Sequence, residues 1–228
     1  MSIVVTGATG HLGRLIVEGL LREGVAPSEI VAGGRNLDKL ADLKDRGVRV
    51  VRLDYSDPST LDTALEGADT LMLVSGSEVG QRVAQHGAAI DAAVRAGVSR
   101  IVYTSAPKAR STTLVLAPEH KATEELIEAS GLPFTILRNG WYTENYVGAV
   151  AQAKETGVLS ASVGDALVAS ASRVDYADAA VAALTSNESS NKVYELSGDI
   201  AWTHTELAQV ISDIVGREVV YNALSPED

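Results

Sequence analysis

Thr6-Gly7-Ala8-Thr9-Gly10-His11-Leu12-Gly13 leaves the apolar run Ile3-Val4-Val5-Thr6 and opens a stretch with helical periodicity to about residue 23. A glycine-rich turn between a first strand and a first helix is the context in which such a turn cradles phosphate. Gly7 permits the tight turn, Gly10 lets backbone approach a pyrophosphate, and Gly13 allows the helix to pack closely on the strand. The helix start then offers unpaired N–H groups and a partial positive charge to an anion. The spacing is G-x-x-G-x-x-G rather than G-x-G-x-x-G, and glycines serving only a close connection are the alternative reading.

Outward from this turn, short apolar runs alternate with longer amphipathic stretches, the pattern of a parallel sheet covered by helices. Strands are expected at 3–6, 29–32, 48–51, 70–74, 100–104 and 134–138, with helices near 11–23, 37–46, 58–66, 79–97 and 117–130. Asp57-Pro58 reads as an N-cap followed by proline at the first helical position. The expected fold is therefore α/β, a doubly wound (Rossmann) parallel sheet. Residues 1–138 form the expected dinucleotide-binding domain. Residues 139–228 form a smaller substrate-side region, with a helix near 147–156, a helix over 175–184, a strand at 192–196 and a helix near 204–215.

The second signal follows the second strand. A protein selecting NAD usually carries an acidic residue there, on the ribose 2′-hydroxyl. This chain reads Ala32-Gly33-Gly34-Arg35-Asn36, with an arginine and no carboxylate. A guanidinium pairs bidentately with a 2′-phosphate that a carboxylate would repel, so NADPH is the expected cofactor and NADH the weaker one. The opposing reading makes Arg35 a surface residue and Asn36 a helix cap. Asp54, at the end of the third strand, is placed for the adenine amino group, or is a polar turn residue. Ser75-Gly76-Ser77 ends the fourth strand at the carboxyl edge, where bare backbone can pass close to ribose or nicotinamide.

Composition narrows the partners. A net charge of -11 repels phosphate backbones and anionic lipids, so neither nucleic acid nor a membrane surface is expected. No apolar run approaches the ~20 residues that cross a bilayer. The chain contains no cysteine, which removes disulfides and thiol redox chemistry and fits a cytoplasmic protein. Its opening reads as a strand rather than a signal peptide. The four histidines, His11, His86, His120 and His204, show no metal-ligand spacing, and no metal is expected. Monomer and dimer both stay open.

With these residues in hand, the chain resembles the NmrA-like, atypical members of the short-chain dehydrogenase/reductase superfamily. Within them it is similar to the bacterial type-2 NAD(P)H:quinone oxidoreductases and the triphenylmethane dye reductases. The resemblance runs nearly end to end, through Thr6–Gly13, Arg35-Asn36, Ser77-Glu78-Val79-Gly80-Gln81-Arg82, Tyr103-Thr104-Ser105 and Glu119-His120-Lys121-Ala122-Thr123-Glu124. It continues through Leu137-Arg138-Asn139-Gly140-Trp141-Tyr142-Thr143-Glu144-Asn145-Tyr146, Arg173-Val174-Asp175-Tyr176-Ala177 and Val193-Tyr194-Glu195-Leu196-Ser197-Gly198. The glycine motif identifies only the superfamily; the Asn-Gly-Trp-Tyr and Glu-Val-Gly-Gln-Arg stretches are more specific. The resemblance implies Gly7, Ala8, Thr9, Gly10, His11 and Leu12 on the pyrophosphate and Arg35 on the adenosine phosphate. It places Ser75, Gly76 and Ser77 along ribose and nicotinamide, and Asn139, Gly140, Trp141 and Tyr142 beside the nicotinamide. Arg173 would reach the cofactor from the smaller region. Relatives ordinarily continue some tens of residues beyond Ser225-Pro226-Glu227-Asp228, in a segment that covers the substrate pocket. The resemblance thus implies a shortened chain, or a pocket that is more open or completed by a partner.

The best-known branch of that superfamily uses Tyr-x-x-x-Lys to protonate an alkoxide. Position i+4 after each of the seven tyrosines is Ser59, Pro107, Tyr146, Val150, Ala180, Gly198 or Ser225, and never lysine. Simple ketone reduction loses ground. Hydride addition to a quinone yields a phenolate-like anion whose conjugate acid titrates near tyrosine, at about 10, so it demands hydrogen-bond donors more than strong acid catalysis. The candidate groups are Asn139, Tyr142 and His120, against readings as turn, packing and helix-end residues. Trp141 and Tyr146 could stack on a planar aromatic acceptor or pack in the core. The expected function is NADPH-dependent hydride transfer to a quinone or similar conjugated small molecule. The alternatives are reduction of a dye, enone or imine, and an NAD(P)-sensing regulatory protein without turnover.

Overall fold

In the computed structural model, which describes residues 1–187 and 190–225, strands β1 (Ile3–Val5), β2 (Ile30–Gly34), β3 (Arg49–Arg52), β4 (Thr70–Leu73), β5 (Arg100–Ser105) and β6 (Phe134–Asn139) lie where the apolar runs predict them. The C-terminal Pro226, Glu227 and Asp228 lie outside the described residues. A further strand, β8 (Lys192–Leu196), joins the same sheet, in the order β3-β2-β1-β4-β5-β6-β8 with every pairing parallel. β1, β2 and β4 are buried along their whole length, which is why they read as continuous apolar runs rather than alternating ones.

Both faces of the sheet are covered. On one, Val4, Val31, Leu71, Leu73, Ile101 and Ile136 meet Leu61 and Leu65 of α3 (Pro58–Leu65), Ala89, Ile90 and Ala93 of α4 (Arg82–Ala96), and Ile127 of α5 (Ala117–Ala129). The other face carries α1 (His11–Arg22) and α7 (Arg173–Thr185), which pack on each other so closely that a Cβ at Gly19 would lie 2.7 Å from Val181. The Asp57 side chain caps α3 by accepting from Ser59 N–H at 3.2 Å, with Pro58 at the first position.

Three local expectations are adjusted. The helix expected over 79–97 starts only at Arg82, because Gly80 takes φ +86° and its N–H donates to Glu119 at 2.8 Å, holding 79–81 as a turn. The stretch 37–46 divides into a 3-10 turn (Leu37–Leu40) and the short α2 (Ala41–Asp45). The third concerns the division at 138/139. The chain leaves the first compact unit after Asn139 but returns to it for Arg173–Leu196. Arg173, α7 and β8 therefore belong with the sheet rather than with the smaller region, because α7 buries Tyr176, Ala180, Val181 and Leu184 and β8 pairs with β6.

The second unit comprises Gly140–Ser172 and Ser197–Asp228. In it β7 (Val158–Ala161) pairs in parallel with β9 (Val220–Ala223). Helices α6 (Val147–Thr156) and α8 (His204–Val215) pack over a small core of Ala153, Leu159, Ala208, Ile211 and Val219. Thr203 and Glu206 form a capping box that starts α8. Among the described residues no helix is long and apolar enough to cross a membrane.

Candidate functional site

Thr6 fixes the end of β1. Its hydroxyl donates to Met72 O at 3.1 Å and accepts from Val74 N–H at 2.8 Å, while the Tyr55 hydroxyl reaches both Thr6 Oγ1 (2.6 Å) and Val74 O (2.7 Å). Burial pushes the Tyr55 phenol above its ordinary pKa, so it stays protonated. From there the chain turns at Gly7 with φ +60°, Ala8 N–H donates to Gly33 O and Gly10 N–H to Gly7 O, both at 2.9 Å. A Cβ at Gly13 would lie 2.3 Å from Gly7 O, and one at Gly34 2.5 Å from Thr9. The turn is thus wedged between α1 and β2 at spacings that only glycine allows.

The start of α1 has neither a side-chain cap at Gly10 nor an acidic residue in its first turn. The helix dipole and the amides of the first turn favour an anion there. Thr9, Gly10 and His11 are accessible, whereas Ala8 and Leu12 are buried beneath them. A diphosphate would find the amides of this accessible turn open to it, and the residues present fit a dinucleotide.

Arg35 follows β2 with its side chain 68% exposed, and its guanidinium pairs with Glu78 at 2.8 Å. Asn36 accepts from Asp38 N–H at 3.1 Å, the capping role weighed for it above. One Asp54 oxygen accepts from Ser56 N–H at 3.0 Å, and Thr60 Oγ1 accepts from Asp54 N–H at the same distance. Asp54 is thus a turn residue just beyond the end of β3.

The loop after β4 is held from β5 and from α4. Ser75 N–H donates to Thr104 Oγ1 at 2.9 Å and Gly76 N–H to His86 Nε2 at 3.0 Å, while Arg82 Nε donates to Gly76 O at 2.9 Å. Arg82 is in turn paired with Glu119 of α5. Because His86 Nε2 accepts, its proton sits on Nδ1, 3.0 Å from Thr123 Oγ1, and Thr123 donates onward to Glu119 O. Burial, helped by the nearby His120 and by the Arg82 charge, lowers the His86 pKa to about 3. His86 is a neutral acceptor that positions Gly76.

At the ends of β5 and β6 the polar groups are more deeply buried. His120 Nδ1 lies 2.7 Å from the Tyr103 hydroxyl, and burial with the Arg82 charge lowers its pKa to about 4. It is neutral near pH 7, able to relay a hydrogen bond but not to carry a proton as imidazolium. Glu124 is wholly buried; it accepts from Ser105 Oγ at 2.6 Å, from Arg138 Nε at 2.9 Å and from Arg110 Nε at 3.2 Å. These partners hold its carboxyl below the usual range against the opposing effect of burial. Asn139, 5% exposed, is the last residue of β6.

Gly140, Trp141 and Tyr142 open the second unit, where Tyr142 forms a parallel bridge with Ala171 and Trp141 is 51% exposed. Tyr146, half-buried, packs edge-on to Trp202 at 5.0 Å and to His204 at 5.5 Å. Arg173 begins α7 in the first unit. Within that unit Gly7–Leu12, Arg35, Asp54, Ser75–Ser77 and Asn139 all lie at the carboxyl ends of sheet strands, the edge at which ligands bind in such folds. Tyr55, His86, Arg82 and Glu78 were given no role from sequence. For His86 the available signal was its helical spacing with the apolar Ala89, Ile90 and Ala93 of α4.

The NmrA-like family model matches residues 1–228. Quinone oxidoreductase 2 of Escherichia coli (strain K12) is 46% identical over 226 residues, covering 99% of this chain and 79% of that protein. The crystal structure of NADPH-dependent quinone oxidoreductase from Escherichia coli complexed with NADPH superposes with a TM-score of 0.95, at 46% identity, over 99% of this chain and 80% of that one. That of Citrobacter sp. triphenylmethane reductase complexed with NADP(H) also gives 0.95, at 37% identity, over 100% and 80%. A glycine turn between β1 and α1, an arginine after β2 and likeness along the whole chain converge: this protein belongs to the NmrA-like family.

Proposed function

We propose that this protein is an NADPH-dependent reductase that delivers hydride to a quinone or a similar planar conjugated acceptor. The observation that carries the cofactor half is Arg35, exposed after β2 where selection for NAD would place a carboxylate, beside an α1 terminus free of acidic residues. The acceptor half rests on the quinone and triphenylmethane dye reductases to which the chain is similar.

When bound, NADPH supplies the hydride. The amides of Gly7–Leu12 hold the diphosphate, Arg35 the 2′-phosphate and Asp54 the adenine. The Ser75–Ser77 backbone, fixed by His86 and Arg82, lies along the ribose-nicotinamide portion. Asn139, Gly140, Trp141 and Tyr142 attend the nicotinamide, and Arg173 makes a further cofactor contact. Asn139 and Tyr142 donate hydrogen bonds to the oxyanion as it forms. His120, neutral and bonded to Tyr103, relays a proton rather than donating it from a charged state. The reading places the reaction in the cytoplasm, which a cysteine-free chain suits.

Purified protein should consume NADPH saturably when given simple quinones or triphenylmethane dyes, followed by the loss of NADPH absorbance. Tight NADPH binding without turnover on any quinone, dye or enone would replace the enzyme with a cofactor-sensing protein.

A further inference from the structure

The ion pair between Arg35 and Glu78 spans an informative place. Arg35 follows β2 and Glu78 follows β4, and the sheet order sets β1 between those two strands. β2 and β4 are therefore roughly 10 Å apart, two strand spacings. The pair closes that gap at 2.8 Å across the end of β1, from which the Gly7–Gly13 turn emerges. Glu78 is not simply a solvated surface acid. Its second oxygen accepts from Gln85 Nε2 at 2.9 Å, and Gln85 is buried on α4. Two residues on, the Gly80 amide is tied to Glu119. The loop thus presents the carboxylate to Arg35 from an anchored base.

We propose that Glu78 competes with the 2′-phosphate of the cofactor for Arg35, and so sets how tightly and how selectively the phosphorylated dinucleotide is held. The inference rests on Arg35 as the phosphate clamp. Arg35 Nη1 donates to Glu78 at 2.8 Å. A phosphate dianion, with more charge and three acceptor oxygens, displaces the carboxylate, which falls back on Gln85. Both members of the pair are exposed, so the exchange is cheap enough to be reversible. NADH carries only a neutral 2′-hydroxyl there, too weak an acceptor to displace the carboxylate, and leaves the pair in place. Glu78 is then a specificity-determining residue that holds NADPH affinity below what Arg35 alone would give.

The test is a double-mutant cycle on the full chain, with NADPH and NADH titrated separately by calorimetry at low ionic strength. Glu78→Gln should tighten NADPH by about two- to five-fold, the range of an exposed ion pair, and change NADH less. In an Arg35→Ala background the same substitution should bring no such gain. Equal gains with and without Arg35 would mean plain charge repulsion and overturn the proposal. So would unchanged or weakened NADPH binding in Glu78→Gln while Arg35→Ala still weakens it, an outcome that leaves the phosphate clamp standing. If Arg35→Ala leaves NADPH affinity intact, the clamp itself fails and the competition with it. Unaltered melting temperatures in both single variants separate these outcomes from misfolding.

Discussion

A methyl group at position 13 would sit 2.3 Å from Gly7 O, and at position 10 it would sit 3.3 Å from the same atom. The first is a collision with backbone that only movement of the turn can relieve, and the second is a tight contact. Gly13→Ala should therefore destabilise the protein by about 1–3 kcal/mol, as overpacking does, and raise the KM for NADPH. Gly10→Ala should leave stability nearly unchanged, since most of its effect falls on the approach of a diphosphate. Thermal melting with NADPH kinetics checks both, and equal melting temperatures for Gly13→Ala and the parent would refute the wedge. The close packing at Gly13 was legible in the sequence, because it depends on neighbours a few residues away.

The loop after β4 shows what the elements add. Residues 79–81 read as the start of a helix, yet the chain there is shaped by α5, whose Glu119 holds the Gly80 amide from 39 residues away. His86 bonds Gly76 only because the α4 register turns its ring toward β4. In sequence it stood as one of four scattered histidines. The positions of strands and helices were legible because periodicity and capping are local, Asp57-Pro58 being an example. The buried polar chain from Gly76 through His86 to Thr123 was not, because it depends on which helix faces meet. Nor was the membership of α7 and β8, since nothing in a pattern of apolar residues names the sheet edge to which a strand returns. Replacing His86 by phenylalanine keeps the bulk but leaves the Gly76 N–H without its acceptor, at about 1–3 kcal/mol. His86→Phe should raise the KM for NADPH with a smaller change in kcat, while His86→Gln, whose amide oxygen can accept, should recover part of it. Kinetics in which both variants match the parent would remove His86 from any positioning role.

For the molecule as a whole, two buried neutral histidines couple folding to acidity. His86 and His120 titrate at about 3 and about 4 when folded, below the ordinary 6.5. Between those values the unfolded chain binds protons that the folded chain refuses. Stability is thus fully present above about pH 6.5 and drains as pH falls toward 4, by up to about 1.4 kcal/mol per unit for each group. The melting temperature should drop from about pH 7 to pH 5, and His86→Phe should flatten that slope; a flat parent profile would contradict the neutral assignment. The excursion of the chain out of the sheet after Asn139, and its return at Arg173, carries a consequence for biosynthesis. As the polypeptide emerges from the ribosome, the surface of α1 around Gly19 has no cover until α7 is made, and the outer edge of β6 has no neighbour until residue 196 is out. A nascent chain with five-sixths of its length made thus still presents a bare strand, the state in which chaperones and wrong partners compete for it.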